Sequence, residues 1–158
     1  MCGIVGYVGE RDCTDVLLDS LSKLEYRGYD SAGIAVFENG EITVEKAKGE
    51  LKNLREKVAE HKPMGHCGIG HTRWATHGEP SDINSHPHGN KRVSIVHNGI
   101  IENYKDIKNF LIDKGYTFIS ETDTETVAKL LDYYYEGDPV DAIIKTLKDV
   151  RGAYALGI

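Results

Sequence analysis

A cysteine directly behind the initiator methionine is the residue whose position most favours chemistry. Removal of Met1 would give Cys2 a free α-amine beside its thiol. The ordinary pKa of a thiol is about 8.5 and that of an α-amine about 7.7 to 8.0, so one residue would hold both a nucleophile and a general base. The alternative is structural, because Cys2 also stands where a short apolar strand begins, and free cysteine often packs as a small hydrophobic residue.

A second polar group follows an apolar segment in the middle of the chain. Arg73, Trp74, Thr76 and His77 lie within five residues of one another. An arginine binds a carboxylate through two parallel hydrogen bonds, and the threonine and histidine could donate to the same oxygens. The pattern therefore indicates a site for a small anionic group. The alternative is a loop in which Arg73 pairs with a structural carboxylate and Trp74 covers the core.

An Asn-Gly pair ends the alternating segment that follows. The Asn98 amide and the Gly99 N–H could point at one spot, as two donors do in an oxyanion hole. One such donor contributes about 2.7 to 4 kcal/mol of transition-state stabilisation. Asn-Gly is also a common turn, and this alternative stays open.

An acidic residue stands at the expected start of a later helix. The spacing of Thr122 and Glu125 fits a capping box, in which Asp123 would interact favourably with the helix N-terminus. A carboxylate at that position could also hold a substrate ammonium. The seven histidines show no HExxH or paired-cysteine spacing, and the glycines form neither a P-loop nor a GxGxxG fingerprint. We predict no metal and no cofactor.

The elements that must position these residues can be read from hydrophobic spacing. Apolar alternation and an Asn-Gly turn predict strands and one hairpin, whereas leucines at helical spacing behind Asp12 predict a capped helix. Strands are predicted at 2–8, 31–37, 42–44, 67–72, 92–97 and 152–158. Helices are predicted from about residue 12 and at 50–61, 102–114, 123–136 and 139–149. This order indicates an α+β fold of antiparallel sheet with helical layers.

Composition limits the kind of protein. The chain has 158 residues with 40% hydrophobic content and a net charge of -6, which is typical of one globular domain. It has neither the basic run of a nucleic-acid-binding protein nor an apolar stretch long enough to span a bilayer. Three cysteines without close spacing agree with a reducing compartment. We therefore expect a cytoplasmic protein that binds neither nucleic acid nor membrane.

Five motifs in a fixed order carry a family resemblance over nearly the whole chain. Together they resemble the glutaminase domain of the class II glutamine amidotransferases, and their wording points to the glutamine:fructose-6-phosphate aminotransferase branch. The motifs are MCGIVGYVG, LEYRGYDSAGIAV, GHTRWATHG, VHNGIIENY and SETDTE. The resemblance implies a four-layer αββα sandwich of the N-terminal nucleophile (Ntn) hydrolase type.

The resemblance also implies a reaction centred on Cys2. Its thiol would attack the side-chain carbonyl of L-glutamine, with its own α-amine as the base, to give a γ-glutamyl thioester and ammonia. Asn98 and the Gly99 amide would stabilise the oxyanion. Arg27 and Gly28 would lie near the nucleophile in supporting positions.

The remaining motif residues would bind the amino-acid end of the substrate. The resemblance implies that Arg73, Thr76 and His77 hold the α-carboxylate and that Asp123 holds the α-ammonium. Trp74 would lie on a mobile loop near the ammonia exit.

The resemblance also carries expectations about the whole protein. Residues 1–158 are expected to be a glutaminase domain that is incomplete at its C-terminus, without the sugar-phosphate isomerase domain that would be its partner. In the full-length protein the ammonia would convert fructose 6-phosphate to glucosamine 6-phosphate, and a homo-oligomer is expected. Two alternatives are a glutamine-binding fragment without turnover and a glutaminase domain of another class II amidotransferase, such as the phosphoribosyl branch.

Overall fold

The fold places two antiparallel sheets between two helical layers. It was obtained as a computed structural model that describes residues 2–75 and 78–158. These residues form seven strands and five α-helices. The strands are β1 (Gly3–Val8), β2 (Ser31–Glu38), β3 (Glu41–Lys48), β4 (Cys67–Arg73), β5 (His88–Gly89), β6 (Ser94–Ile101) and β7 (Gly152–Gly157). The helices are α1 (Cys13–Leu24), α2 (Leu51–Glu60), α3 (Tyr104–Asp113), α4 (Asp123–Tyr134) and α5 (Pro139–Asp149).

The first sheet has the strand order β1-β4-β2-β3 and is antiparallel throughout. Its β2–β3 hairpin turns at Asn39 and Gly40, whose φ angles are 51° and 86°. Positive φ at both central residues is what a tight hairpin of this kind requires, and Asn-Gly is the pair that adopts it most readily. The predicted hairpin is therefore confirmed.

Helix α1 covers the first sheet and begins where the sequence predicts. The Asp12 side chain caps it by accepting a hydrogen bond from the Thr14 N–H at 3.1 Å. Its buried leucines approach the sheet closely, because a Cβ on Gly70 would lie only 3.1 Å from Leu21 Cδ1. Helix α2 covers the same sheet and packs against it with Leu51.

In the ranges 2–75 and 78–158, no helix is long and apolar enough to cross a membrane.

The second sheet has the strand order β5-β6-β7 and carries helices α3, α4 and α5. Its core joins apolar residues of the strands to those of the helices. Fully buried examples are Ile95, Ile101, Leu111, Val127 and Leu130. Helix α5 begins with Pro139 behind the capping residue Asp138, as the sequence predicts.

The bare faces of the two sheets meet in the middle of the molecule. A Cβ on Gly157 of β7 would lie 3.5 Å from Ile4 of β1 and 3.8 Å from Ile69 of β4, so the sheets are in close contact. The layers are therefore helix, sheet, sheet and helix. This arrangement confirms the predicted four-layer α+β sandwich.

Strand β6 differs from the prediction. The predicted strand ends at residue 97, whereas β6 continues through Asn98 and Gly99 to Ile101 and pairs with β7. The turn alternative for the Asn-Gly pair is therefore wrong. The reason is β7, more than fifty residues further along the chain, whose backbone pairs with both residues and keeps them within the sheet.

Candidate active site

A cavity of about 310 Å³ lies at one end of the contact between the sheets. It is lined by the first residue of the described chain, the ends of β4 and β6, and the start of α4. The lining residues are Cys2, Arg27, His71, Arg73, Trp74, His86, His97, Asn98, Gly99, Ile100, Thr122, Asp123 and Thr124. Seven of the ten site residues predicted from sequence are among them.

Cys2 lies half-buried at the mouth of the cavity, immediately before β1. Its Sγ accepts a hydrogen bond from the backbone N–H of Trp74 at 3.2 Å. Its carbonyl oxygen accepts another from the Asn98 amide at 3.1 Å. Two segments far away in the sequence therefore fix the sulfur and the backbone of this residue.

Arg73 is the last residue of β4 and is only 4% exposed. Its Nη2 donates a hydrogen bond to the Gly78 carbonyl at 3.1 Å. Burial lowers the pKa of the Arg73 guanidinium, while the negative charges of Asp30 and Asp123 act in the opposite direction. An arginine stays cationic under such conditions, so the cavity holds a fixed positive charge.

Gly28 leaves room for the backbone of Arg73 and Trp74 at the end of β4. A Cβ at this position would lie 2.7 Å from the Arg73 carbonyl carbon and 2.9 Å from the Trp74 nitrogen. Any larger residue would therefore push the end of β4 away. Gly28 is extended, so it is needed for space and not for its conformational freedom.

Trp74 begins the loop that follows β4. Its side chain is 44% exposed and meets the edge of Tyr29, with 5.4 Å between the ring centroids. The alternative in which Trp74 covers the core is therefore wrong. The next residue, Ala75, donates its N–H to the Asp30 carboxylate at 2.7 Å, which anchors the start of the loop. Thr76 and His77, predicted to bind the carboxylate, lie outside the described residues, as does Met1.

Asn98 and Gly99 line the same wall of the cavity. The Asn98 oxygen lies 2.9 Å from Nε2 of His71. Gly99 has a φ of 113°, and a Cβ there would lie 2.2 Å from the Ala153 carbonyl oxygen. Only glycine fits this place in the strand.

Asp123 is the first residue of α4 and is 7% exposed. Its Oδ2 accepts a hydrogen bond from the Ile101 N–H at 2.9 Å, which ties the helix to the end of β6. The predicted capping box is only half formed. Thr122 accepts from the Glu125 N–H at 3.3 Å, but the Glu125 carboxylate accepts from Ser120, at 2.7 Å, and not from Thr122.

Four buried histidines that were not predicted to belong to the site lie beside the cavity. His71 stacks on His86 with 4.1 Å between ring centroids, and His86 also contacts His88 and His97. Burial lowers the pKa of His71 to about 4 and those of the other three in the same direction. All four are therefore neutral near pH 7. Their concentration in the middle third of the sequence was a signal, but their spacing did not show that they would meet.

The sequence of this chain also matches a known protein family. A profile described as "Glutamine amidotransferase domain" matches residues 71–158, which is more than half of the chain. The chain therefore belongs to the glutamine amidotransferase domain family.

Several curated relatives of this chain carry the same enzyme name. The chain is 59% identical to glutamine--fructose-6-phosphate aminotransferase [isomerizing] of Clostridium acetobutylicum over 160 aligned positions. It is 61% identical to the enzyme of the same name from Caldanaerobacter subterraneus and 56% identical to that from Thermus thermophilus. The alignments cover 99 to 100% of this chain but only 26% of each relative. The chain thus spans about a quarter of the length of these relatives.

Solved structures share the fold. A glutamine phosphoribosylpyrophosphate amidotransferase from B. subtilis, complexed with ADP and GMP, matches with a TM-score of 0.84 and 26% identity. The match covers 99% of this chain and 34% of that one. A second structure, described as the allosteric regulatory enzyme of purine biosynthesis, matches equally well at 27% identity. The likeness confirms the Ntn amidotransferase fold expected from the sequence.

Proposed function

We propose that this chain hydrolyses L-glutamine to glutamate and ammonia, with Cys2 as the nucleophile. One observation carries the proposal: a thiol, an amide donor, a buried guanidinium and a buried carboxylate line a single cavity of about 310 Å³. Family membership and the fold both support it. The cavity is at the small end of the range found for ligand sites, which suits an amino acid.

The charged residues match the α-carbon end of a free amino acid. Arg73 supplies a fixed cation that can bind a carboxylate through two hydrogen bonds, and Asp123 supplies an anion for an ammonium group. A glutamine held by these two charges at its α-carbon would have its side chain free to extend to Cys2, which lines the same cavity. A peptide-bound glutamine lacks both charges at its α-carbon and would be rejected. Thr76 and His77 stay predicted carboxylate ligands.

The proposed reaction takes place at the side-chain amide of glutamine and uses Cys2, Asn98 and Gly99. The Cys2 thiol gives its proton to its own α-amine, once Met1 is removed, and the sulfur forms a bond to the side-chain carbonyl carbon. Asn98 and the Gly99 N–H stabilise the oxyanion that forms. The C–N bond then breaks, the proton passes to the leaving nitrogen, and ammonia departs. Water attacks the remaining thioester, which releases glutamate and restores the thiol.

The acceptor of the ammonia belongs to the same proposal. Relatives named for fructose 6-phosphate include one that is 61% identical, whereas the phosphoribosylpyrophosphate amidotransferase structure is 26% identical, so the identities favour the sugar-phosphate acceptor. Residues 1–158 would then be the glutaminase part of a longer chain that also holds an isomerase domain. The homo-oligomer and the cytoplasmic setting stay predictions; a reducing compartment would keep Cys2 a free thiol.

The test uses intact mass spectrometry and ammonia release on the same sample. Mass measurement reports whether Met1 is removed, and treatment with a glutamine-like electrophile should add one label at Cys2. Cys2→Ala should abolish both the label and ammonia release, because the substitution removes the proposed nucleophile. Cys67→Ser is the matched control, since Cys67 is an exposed free thiol that does not line the cavity.

Three outcomes would contradict parts of the proposal. A processed, folded sample that binds glutamine without releasing ammonia would be a binding module. A label at any residue other than Cys2 would overturn the assignment of the nucleophile. Coupling of ammonia release to a phosphoribosyl acceptor and not to fructose 6-phosphate in the full-length protein would reassign the branch.

A further inference from the structure

His71 connects the two sheets directly behind the Asn98 amide. It lies on β4 and is 1% exposed, and its ring reaches across to β6. Nε2 lies 3.0 Å from the His97 carbonyl oxygen and 2.9 Å from the Asn98 side-chain oxygen. One ring nitrogen thus meets two oxygens of the neighbouring sheet.

The partners of Nε2 decide where the proton of this neutral ring lies. A backbone carbonyl can only accept a hydrogen bond, so Nε2 must donate and must carry the proton. Nδ1 is then a bare acceptor. In agreement with this, Nδ1 is buried and has no hydrogen-bond partner among the residues that the structure describes.

The same proton fixes the direction of the Asn98 amide. Because Nε2–H is a donor, the group of Asn98 that faces it must be the carbonyl oxygen. The amide nitrogen then faces the opposite way, where it donates to the Cys2 carbonyl at 3.1 Å. If the amide were reversed, two donors would meet at His71 and two acceptors would meet at Cys2. Both contacts therefore specify one orientation.

The geometry points to His71 as a positioning residue, which holds the Asn98 amide with its N–H groups toward the nucleophile. The inference rests on the proposed glutaminase function. An amide nitrogen has two protons, so Asn98 can keep its bond to the Cys2 carbonyl and still offer one proton to an oxyanion. Without His71, the amide could rotate and present its oxygen to the developing negative charge.

A pair of substitutions tests this role. His71→Leu removes the donor and should lower kcat by about 10- to 100-fold, somewhat less than the 10² to 10³ typical of losing an oxyanion donor outright. KM for glutamine should change by less than about threefold, since ground-state binding is assigned to Arg73 and Asp123. His71→Gln places an amide donor near the position of Nε2 and should restore at least about a third of the lost kcat.

A double-mutant cycle separates positioning from mere structural support. If His71 acts through Asn98, then His71→Leu should lower kcat by less than about threefold in an Asn98→Ala background. Leu21→Ala is the matched control, because Leu21 packs on Gly70, the residue beside His71, from the other face of β4. It should lower the unfolding midpoint and leave kcat of the folded protein unchanged. Equal losses of kcat in both Asn98 backgrounds would overturn the inference.

A spectroscopic measurement keeps this inference separate from the proposed function. Nitrogen-15 NMR of the histidine rings near pH 7 should show His71 neutral with its proton on Nε2. A proton on Nδ1 would overturn the inference whether or not glutamine is hydrolysed. Absence of ammonia release from the unsubstituted, processed protein would instead refute the proposed function and leave the ring assignment to be judged by the spectrum.

Discussion

The two faces of strand β4 have different tasks. The even-numbered residues face α1, where Gly68 and Gly70 are bare so that Leu17 and Leu21 can approach the backbone. The odd-numbered residues face the second sheet, where His71 makes specific hydrogen bonds. One face is held by apolar contact that depends on shape and volume. The other is held by polar contacts that depend on the placement of single protons.

Residues that stabilise the fold therefore alternate along β4 with residues that position groups of the cavity. A change on the helical face should alter the free energy of unfolding without altering the reaction. A change on the inner face should alter the reaction more than the free energy of unfolding at pH 7.5, because its hydrogen bonds orient groups that line the cavity. The period of two that makes a strand thus lets adjacent residues serve separate purposes.

The largest expected effect is on the helical face. Leu21 is fully buried, and Leu21→Ala should lower the free energy of unfolding by about 2 to 5 kcal/mol through lost burial and a residual cavity. Urea unfolding measures this loss, and kcat per folded molecule should stay the same. Leu21→Met, which conserves volume, should cost less than about 1.5 kcal/mol. A loss of kcat in either variant would break the proposed division between the faces.

The next effect belongs to the cavity wall. Asn98→Ala should lower kcat about 10²- to 10³-fold, since it removes one oxyanion donor, which corresponds to about 2.7 to 4 kcal/mol. The free energy of unfolding should fall by about 1 to 3 kcal/mol, because the amide takes part in two hydrogen bonds, with His71 and with the Cys2 carbonyl, each with a net value of about 0.5 to 1.5 kcal/mol. Steady-state kinetics and urea unfolding of the same sample make the comparison. Asn53→Ala, at an exposed amide on α2, is the control that should leave kcat unchanged.

A further effect should appear in how the free energy of unfolding depends on pH, because only the inner face of β4 carries a buried histidine, His71. Burial lowers the pKa of His71 from 6.5 to about 4. Between these two pH values, His71 is therefore protonated in the unfolded chain and neutral in the folded chain. The free energy of unfolding should therefore fall as the pH drops from about 6.5 to 4, by up to about 3 kcal/mol for this histidine. His86 and His88 act in the same direction.

Urea unfolding at pH 7.5 and pH 5 measures this loss. His71→Gln should reduce the dependence on pH, whereas Leu21→Ala should shift both values equally. An unfolding free energy that is the same at both pH values in the unsubstituted protein would contradict the assignment of neutral, buried histidines.

Much of the fold could be predicted because its signals are local. The Asp12 cap, the Asn39-Gly40 turn and the Asp138-Pro139 helix start each act within a few residues, and all three are confirmed. The end of β6 could not be predicted, because long-range pairing with β7 keeps Asn98 and Gly99 within the sheet. Local propensity favours a turn at this pair, and tertiary structure overrides it.

The candidate site likewise contains residues that the sequence predicts and a contact that it does not. Cys2, Arg73 and Asp123 were predicted from residue type and motif, and they line one cavity. The contact of His71 with Asn98 was missed, because the sequence shows only that a histidine stands on a buried strand. Which group it meets depends on how two sheets face each other, and no spacing within β4 contains that information.

The bond between Asp123 and Ile101 has a practical consequence. One oxygen of the carboxylate holds the Ile101 N–H at 2.9 Å, while Asp123 also lines the cavity. A ligand ammonium that draws on the charge of this carboxylate would weaken its hold on that N–H. The NMR chemical shift of the Ile101 amide proton should therefore change when a ligand occupies the cavity, even in an inactive Cys2→Ala protein.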